Sequence, residues 1–186
     1  IYVVYPSNAS DAKGLLKTAC RINDPVIFME HKSLYRQSHA SSEEPDKNYL
    51  LPFGKAKIVQ EGDSLSIITW GAMVQKSIDA LKSNEIENGL VEIIDLRTLN
   101  PLDFSTIKKS IKKTGKALIV HEDSLTSGPG AEISALLVEH CFENLDGPIK
   151  RVGAKDAPIP YNPFLEEEIL PHVDDIAFSI IELLEY

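Results

Sequence analysis

Cysteine is scarce in this chain. Only Cys20 and Cys141 occur among 186 residues, far apart and in no CxxC pair. That excludes a disulfide framework and points to a reducing compartment. No apolar run approaches the ~20 residues that a membrane span needs. Basic charge is also in deficit. Nineteen Lys and Arg stand against 28 Asp and Glu, a net charge of -9, which argues against a nucleic-acid surface and permits a basic protein partner. Neither a signal peptide nor a transit peptide is visible. The first residue is Ile rather than Met, so the simplest expectation is a fragment or a processed chain. What remains is ordinary for a folded protein, with 43% apolar and 25% charged residues. The length suits one domain, or one domain plus part of another.

Local patterning divides the chain in two. Ile1 to Tyr5 reads as a short strand, Pro6-Ser7-Asn8 as a break and helix cap, and Asp11 to Ile22 as a helix with Ala12, Leu15, Leu16 and Ala19 on one face. Asp24-Pro25 ends that helix, and Val26 to Met29 is a second strand. This βαβ-like piece shows no sheet partner of its own upstream. Residues 37–52 are polar and read as a linker. Beyond it, strands at 57–60, 65–70, 91–96, 117–120 and 149–152 alternate with helices. Val74, Ile78 and Leu81 mark one helix. Asp103 caps another, which carries Phe104, Ile107 and Ile111 and ends at Gly115. A third bears Ile133, Leu137 and Cys141, and Val173, Ile176, Ile180 and Leu184 line the last. The alternation predicts an α/β fold of three layers. Its sheet is mostly parallel with helices on both faces, and the Glu61-Gly62-Asp63 turn predicts one antiparallel edge pair. Residues 165–186 hold seven acidic residues and no Lys or Arg, which makes them a solvated helix face and a candidate docking segment for a basic partner.

Several residues invite a chemical reading, and each has a structural alternative. His121 follows the strand 117–120, at the sheet edge where α/β proteins bind ligands, and its type suits acid-base work near neutral pH. A strand-end histidine with a satisfied hydrogen bond is the preferred reading. Ser127-Gly128-Pro129-Gly130 opens a helix, but Ile133 stands where a dinucleotide fingerprint needs its third glycine, so a tight turn is preferred over a phosphate cradle. Gly62-Asp63-Ser64 resembles a thiamine-diphosphate magnesium motif only faintly and reads as a turn. Cys20 and Cys141 read as packed thiols, and His140 as a helix-surface residue. No catalytic constellation emerges from the residues themselves.

Longer strings carry a resemblance. Asp11-Ala12-Lys13-Gly14-Leu15-Leu16 and the run Asp24-Pro25-Val26-Ile27-Phe28-Met29-Glu30-His31-Lys32-Ser33-Leu34-Tyr35-Arg36 resemble the end of the pyrimidine-binding domain of β subunits of thiamine-diphosphate-dependent 2-oxo acid dehydrogenases, the E1 component. Pro52-Phe53-Gly54-Lys55-Ala56, Thr69-Trp70-Gly71, the run from Ile94 to Asp103, Lys113-Thr114-Gly115-Lys116, His121-Glu122 and Gly130-Ala131-Glu132-Ile133 resemble that family's transketolase C-terminal domain.

The resemblance implies a pyrimidine-domain end at 1–36, a linker at 37–52 and a transketolase C-terminal-like domain at 53–186. It implies a parent enzyme that decarboxylates a 2-oxo acid on thiamine diphosphate with Mg2+ and acylates the lipoyl group of E2. The implied partners are an E1 α half, a second β subunit and the peripheral-subunit-binding domain of E2. The family's cofactor-activating glutamate and histidine loop would precede Ile1, and its diphosphate and magnesium ligands would belong to the α half. No catalytic or cofactor-binding residue is therefore expected here, no bound cofactor is expected, and the 186 residues are expected to be inactive alone. Two sites carry over by position. Cys20, Asn23 and Asp24 match a monovalent-cation loop, and Asp146 with Tyr186 matches the E2-docking surface. Cys141 to Ile149 resembles branched-chain 2-oxo acid enzymes somewhat more than pyruvate enzymes. The implied compartment is the cytoplasm, or the mitochondrial matrix in a eukaryote. Two alternatives stay open: a free-standing Rossmann-like ligand-binding module and a purely structural dimerisation domain.

Overall fold

Three strands of the larger half carry apolar side chains on both of their faces, and their odd and even residues feed two different cores. A computed structural model describes residues 1–186. In it, β3 (Lys57–Gln60), β4 (Gly62–Thr69), β5 (Gly89–Asp95), β7 (Ala117–Ser124) and β8 (Lys150–Ala154) form a sheet in the order β3-β5-β4-β7-β8. All pairs are parallel except β3 with β5. On one face Leu65, Ile67, Val91, Ile93, Leu118 and Val120 meet α2 (Met73–Ser83) and α6 (Val173–Glu185). On the other, Ile68, Trp70, Ile94, Ala117 and Ile119 meet α3 (Phe104–Thr114) and α4 (Pro129–Cys141). Burial on both faces explains why these strands read as continuous apolar runs rather than alternating ones. The three-layer α/β expectation holds. No helix is long and apolar enough to cross a membrane.

The antiparallel edge has a different origin from the predicted one. β3 does not turn back onto β4. It pairs with β5, and the chain then crosses over β5 to begin β4 on the far side. Gly62 makes that crossing possible, because a Cβ there would lie 2.2 Å from the carbonyl carbon of Val91 and 2.3 Å from the nitrogen of Glu92. Helix boundaries follow the chemistry expected of them. The Asp103 carboxylate accepts the Thr106 N–H at 3.2 Å, and Gly115 ends α3 in the left-handed region at φ 70°.

The smaller half also finds the partner that its sequence did not reveal. β1 (Tyr2–Val4) pairs parallel with β2 (Val26–Phe28) across α1 (Ala9–Ala19), and on its other side it pairs antiparallel with β6 (Thr98–Asn100). β6 is only three residues long and follows β5 within three residues, so no periodicity marks it as a separate strand. The polar stretch 37–52 runs back along α1. Leu51 joins Val4 and Leu15 in a three-residue core, the Lys13 ammonium donates to the Pro45 carbonyl at 2.7 Å, and the Thr18 hydroxyl donates to Leu51 at 2.8 Å.

Candidate functional site

Chain order about β4 sets the place where an α/β sheet usually binds a ligand. The path from β4 goes to β5 on one side and later to β7 on the other, so the topological switch lies at the C-terminal ends of β4 and β7. Those ends present Thr69-Trp70-Gly71 and His121-Glu122. The crevice between them is filled by the chain's own N-terminal half. The Tyr5 N–H donates to the Arg97 carbonyl at 2.8 Å, and its ring lies where a Cβ on Gly71 would come within 3.0 Å. His31 reaches over to Glu122, with Nε2 2.9 Å from Oε2. Burial and the Glu122 charge push the Tyr5 phenol up to about 12.

His121 is no surface base. It is fully buried and stacks on Trp70, with ring centroids 5.4 Å apart and planes 4° from parallel. Burial lowers its pKa from the ordinary value, so near neutral pH it is the neutral imidazole. No side chain hydrogen-bonds either ring nitrogen, and the neighbouring Asp123, through its backbone and its charge, acts against the lowering. Glycines frame the ring. A Cβ on Gly130 would lie 2.3 Å from Nε2, and one on Gly153 would lie 2.9 Å from Cε1. A Cβ on Gly128 would lie 2.2 Å from the Ser124 carbonyl oxygen. The glycines ahead of α4 thus admit close packing of that helix on β7, as the tight-turn reading requires.

The other singled-out residues lie apart. Asp63 is exposed and accepts from the Ser64 hydroxyl at 2.7 Å. His140 lies edge-on to Phe104 on the surface of α4. Cys141 is buried and burial raises its pKa, but Cys20 corrects the packed-thiol reading: it is exposed at the end of α1. Asn23 and Asp24 are exposed on the same α1–β2 loop. No three His, Cys, Asp or Glu side chains gather anywhere in a metal-holding group.

Asp146 and Tyr186, by contrast, come together. The Asp146 N–H donates to the Gly115 carbonyl at 2.7 Å, and its carboxylate folds over Gly115 at the end of α3. A Cβ on the adjoining Gly147 would lie 3.1 Å from the Tyr186 ring. Lys150 pairs with Glu182 of α6, and the Lys116 ammonium donates to the Leu184 carbonyl at 3.4 Å. Beside Gly147 opens a groove of about 540 Å³ lined by Val138, Phe142, Leu145, Pro148 and Ile149. Phe142 and Tyr186 are 72% and 74% exposed, large apolar area to leave in water.

Sequence reasoning missed the polar weld between the two halves. The Arg97 guanidinium donates to both carboxylate oxygens of Asp11, Nε at 2.9 Å and Nη2 at 2.8 Å. The Arg97 N–H and the Ser7 hydroxyl both donate to Asp95, at 3.0 and 2.5 Å. Arg97 adopts φ 60° to do this. Burial raises Asp95 to about 6, against the lowering effect of its two donors. Asp11 and the Ile94–Asp103 run were legible as strings, but nothing in their spacing pairs residues so far apart.

Comparison with known proteins adds a third line. The family described as transketolase, C-terminal domain, matches residues 54–176, and transketolase, pyrimidine binding domain, matches residues 1–38. The chain is 44% identical over 184 residues to the pyruvate dehydrogenase E1 component subunit beta of Staphylococcus aureus, covering 99% of this chain and 56% of that protein. It is 40% identical over 185 residues to the 2-oxoisovalerate dehydrogenase subunit beta of Bacillus subtilis, again covering 99% and 56%. A solved structure described as a split gene transketolase, inactive beta4 tetramer, superposes with a TM-score of 0.76 at 22% identity, over 99% of this chain and 57% of that one, a likeness of fold. The chain spans little more than half the length of these relatives.

Proposed function

The chain belongs to the transketolase C-terminal domain family and is homologous to the C-terminal part of 2-oxo acid dehydrogenase E1 β subunits, and from that premise we propose that its residues serve subunit assembly and E2 docking in such an enzyme. In this reading the parent enzyme decarboxylates a 2-oxo acid and acylates the lipoyl group of E2. The division at Arg36 and Pro52 belongs to the same proposal, as do the E1 α half and a second β subunit as partners.

Thiamine diphosphate supplies the decarboxylation chemistry in that family, and this chain's residues do not fit it. The glycine turn ahead of α4 is closed by the Ser124 carbonyl and the His121 ring, and the switch-point crevice is filled by Tyr5 and His31. No catalytic step is therefore assigned to residues 1–186, and alone they are inactive in this reading. Carbon dioxide release from a 2-oxo acid by the purified chain, given only thiamine diphosphate and Mg2+, would contradict it.

The meeting of Asp146–Gly147 with Tyr186, beside an exposed apolar groove and the acidic α6, supports the docking role. A basic partner would be steered to such a surface by charge and held by the apolar area. Titration with an E2 peripheral-subunit-binding domain is expected to give binding that weakens from low to moderate salt. Asp146→Ala is expected to weaken it by about tenfold. Absent binding, or binding indifferent to salt, counts against docking.

Two finer points belong to the same reading. The Cys141–Ile149 string places a branched-chain 2-oxo acid slightly ahead of pyruvate, and competition between the two acids on the assembled enzyme decides it. The exposed loop of Cys20, Asn23 and Asp24 is the position for a monovalent cation, which a higher Tm in potassium than in a large organic cation would support.

A further inference from the structure

The stretch after β2 is held to the rest of the molecule at few points. Between His31 and Gln37 only His31 and Leu34 are other than exposed. Leu34 packs against the core beneath α2 and α6. His31 carries the polar anchor, with Nε2 2.9 Å from Oε2 and 3.1 Å from Oε1 of Glu122 on β7. The Ser33 hydroxyl lies 2.7 Å from His31 Nδ1. Behind the stretch, toward the N-terminus of α1, a cavity of about 380 Å³ is lined by Pro6, Ser7, Ala9, Ala12 and Tyr35 among others. A segment anchored at two side chains over unfilled space sits at the low end of local stability.

We propose that residues 30–36 form a proton-sensitive latch: imidazolium His31 on Glu122 holds the segment against the C-terminal domain, and loss of that proton releases it. Nε2 can donate to the carboxylate from the neutral ring as well, so what the extra proton adds is charge: the imidazolium on Glu122 is an ion pair, and the neutral ring keeps at most a weaker hydrogen bond. Neighbouring charges set the response. Glu122 dominates, Glu166 of α5 (Pro163–Glu167) adds to it, and Lys76 of α2 opposes it. The Tyr5 phenol also faces Glu122 and stays protonated, since its pKa is pushed up to about 12. The hydrogen bond to Glu122 raises the His31 pKa above 6.5. A raised pKa means that the closing contribution is fully present below 6.5 and is lost as pH rises through the folded value.

Trypsin cuts after Lys32 and Arg36, both exposed on this stretch, so cleavage there in the 186-residue chain reads the open form. Comparing the chain with Glu122→Gln at the same pH cancels the protease's own pH dependence. At about pH 6 the variant is expected to be cut about fivefold faster, and the two rates are expected to converge by about pH 8.5. A ratio that stays constant between those conditions overturns the proposal. Where Glu122→Gln does not fold, NMR titration of His31 in the unaltered chain decides: a midpoint above 6.5 supports the latch, and one at or below it overturns it.

Discussion

The two halves of this molecule are built on opposite economies. The five-stranded half is cemented by apolar clusters of fourteen and eleven buried residues on the two faces of one sheet. The N-terminal half has a cluster of three, Val4, Leu15 and Leu51, and a sheet in which β1 pairs with β6 of the other half. Its attachment adds three polar pairs, Asp11 with Arg97, Ser7 with Asp95 and His31 with Glu122, to the apolar contacts of Tyr5 and Leu34. A small apolar core does not hold a segment in place by itself, and buried pairs supply position rather than bulk stability.

The sharpest way to break that contrast is Asp11→Ala. It leaves the Arg97 guanidinium buried and unpaired, which costs about 4 kcal/mol. The expected outcome is loss of hydrogen-exchange protection in β1 and β2, while β4, β5 and β7 keep theirs. Equal loss in both sheets would erase the distinction between the halves. Ile67→Ala acts from the other side. A fully buried isoleucine in the central strand costs about 3 kcal/mol when truncated, and both halves are expected to unfold together in denaturant.

Asp95 gives the contrast a pH signature. Its folded pKa of about 6 lies above the ordinary 3.8, so the folded form holds that proton more tightly. Its contribution is therefore most favourable below 3.8 and declines as pH rises through 6. Asp95→Asn is expected to flatten the fall in stability across that interval, measured as the urea midpoint at successive pH values. The smallest expected effect is Gly115→Ala. At φ 70°, with the Asp146 carboxylate where the new Cβ would go, it costs about 1 kcal/mol and is expected to displace Asp146. Tm reports the first consequence and E2-domain affinity the second.

The larger half was legible in the sequence because its signals are local. Paired apolar runs, the Asp103 cap and the Gly115 stop all act within a few residues. The errors came where distant backbone or side chains decide. Glu61-Gly62-Asp63 looks like a hairpin turn, yet Gly62 is there to slip over Val91 and Glu92. Thr98-Leu99-Asn100 is too short to announce a strand and exists because Val3 and Val4 need a partner. Lys113 suits the α3 dipole, and it also answers the buried Glu92 on β5, which spacing alone does not reveal. For the candidate site, family strings brought Asp146 and Tyr186 to notice. The Asp11–Arg97 pair and the His31–Glu122 pair stayed hidden because each joins residues more than eighty positions apart.

The pairing with β6 also fixes a timetable. β1 and β2 leave the ribosome well before Thr98–Asn100 is made, and at about 5–20 residues per second that interval lasts several seconds. Through that interval the nascent β1 has a bare flank, open to any extended chain nearby. The sheet of β1 and β2 is thus made early relative to Thr98–Asn100 and finished only when that strand arrives.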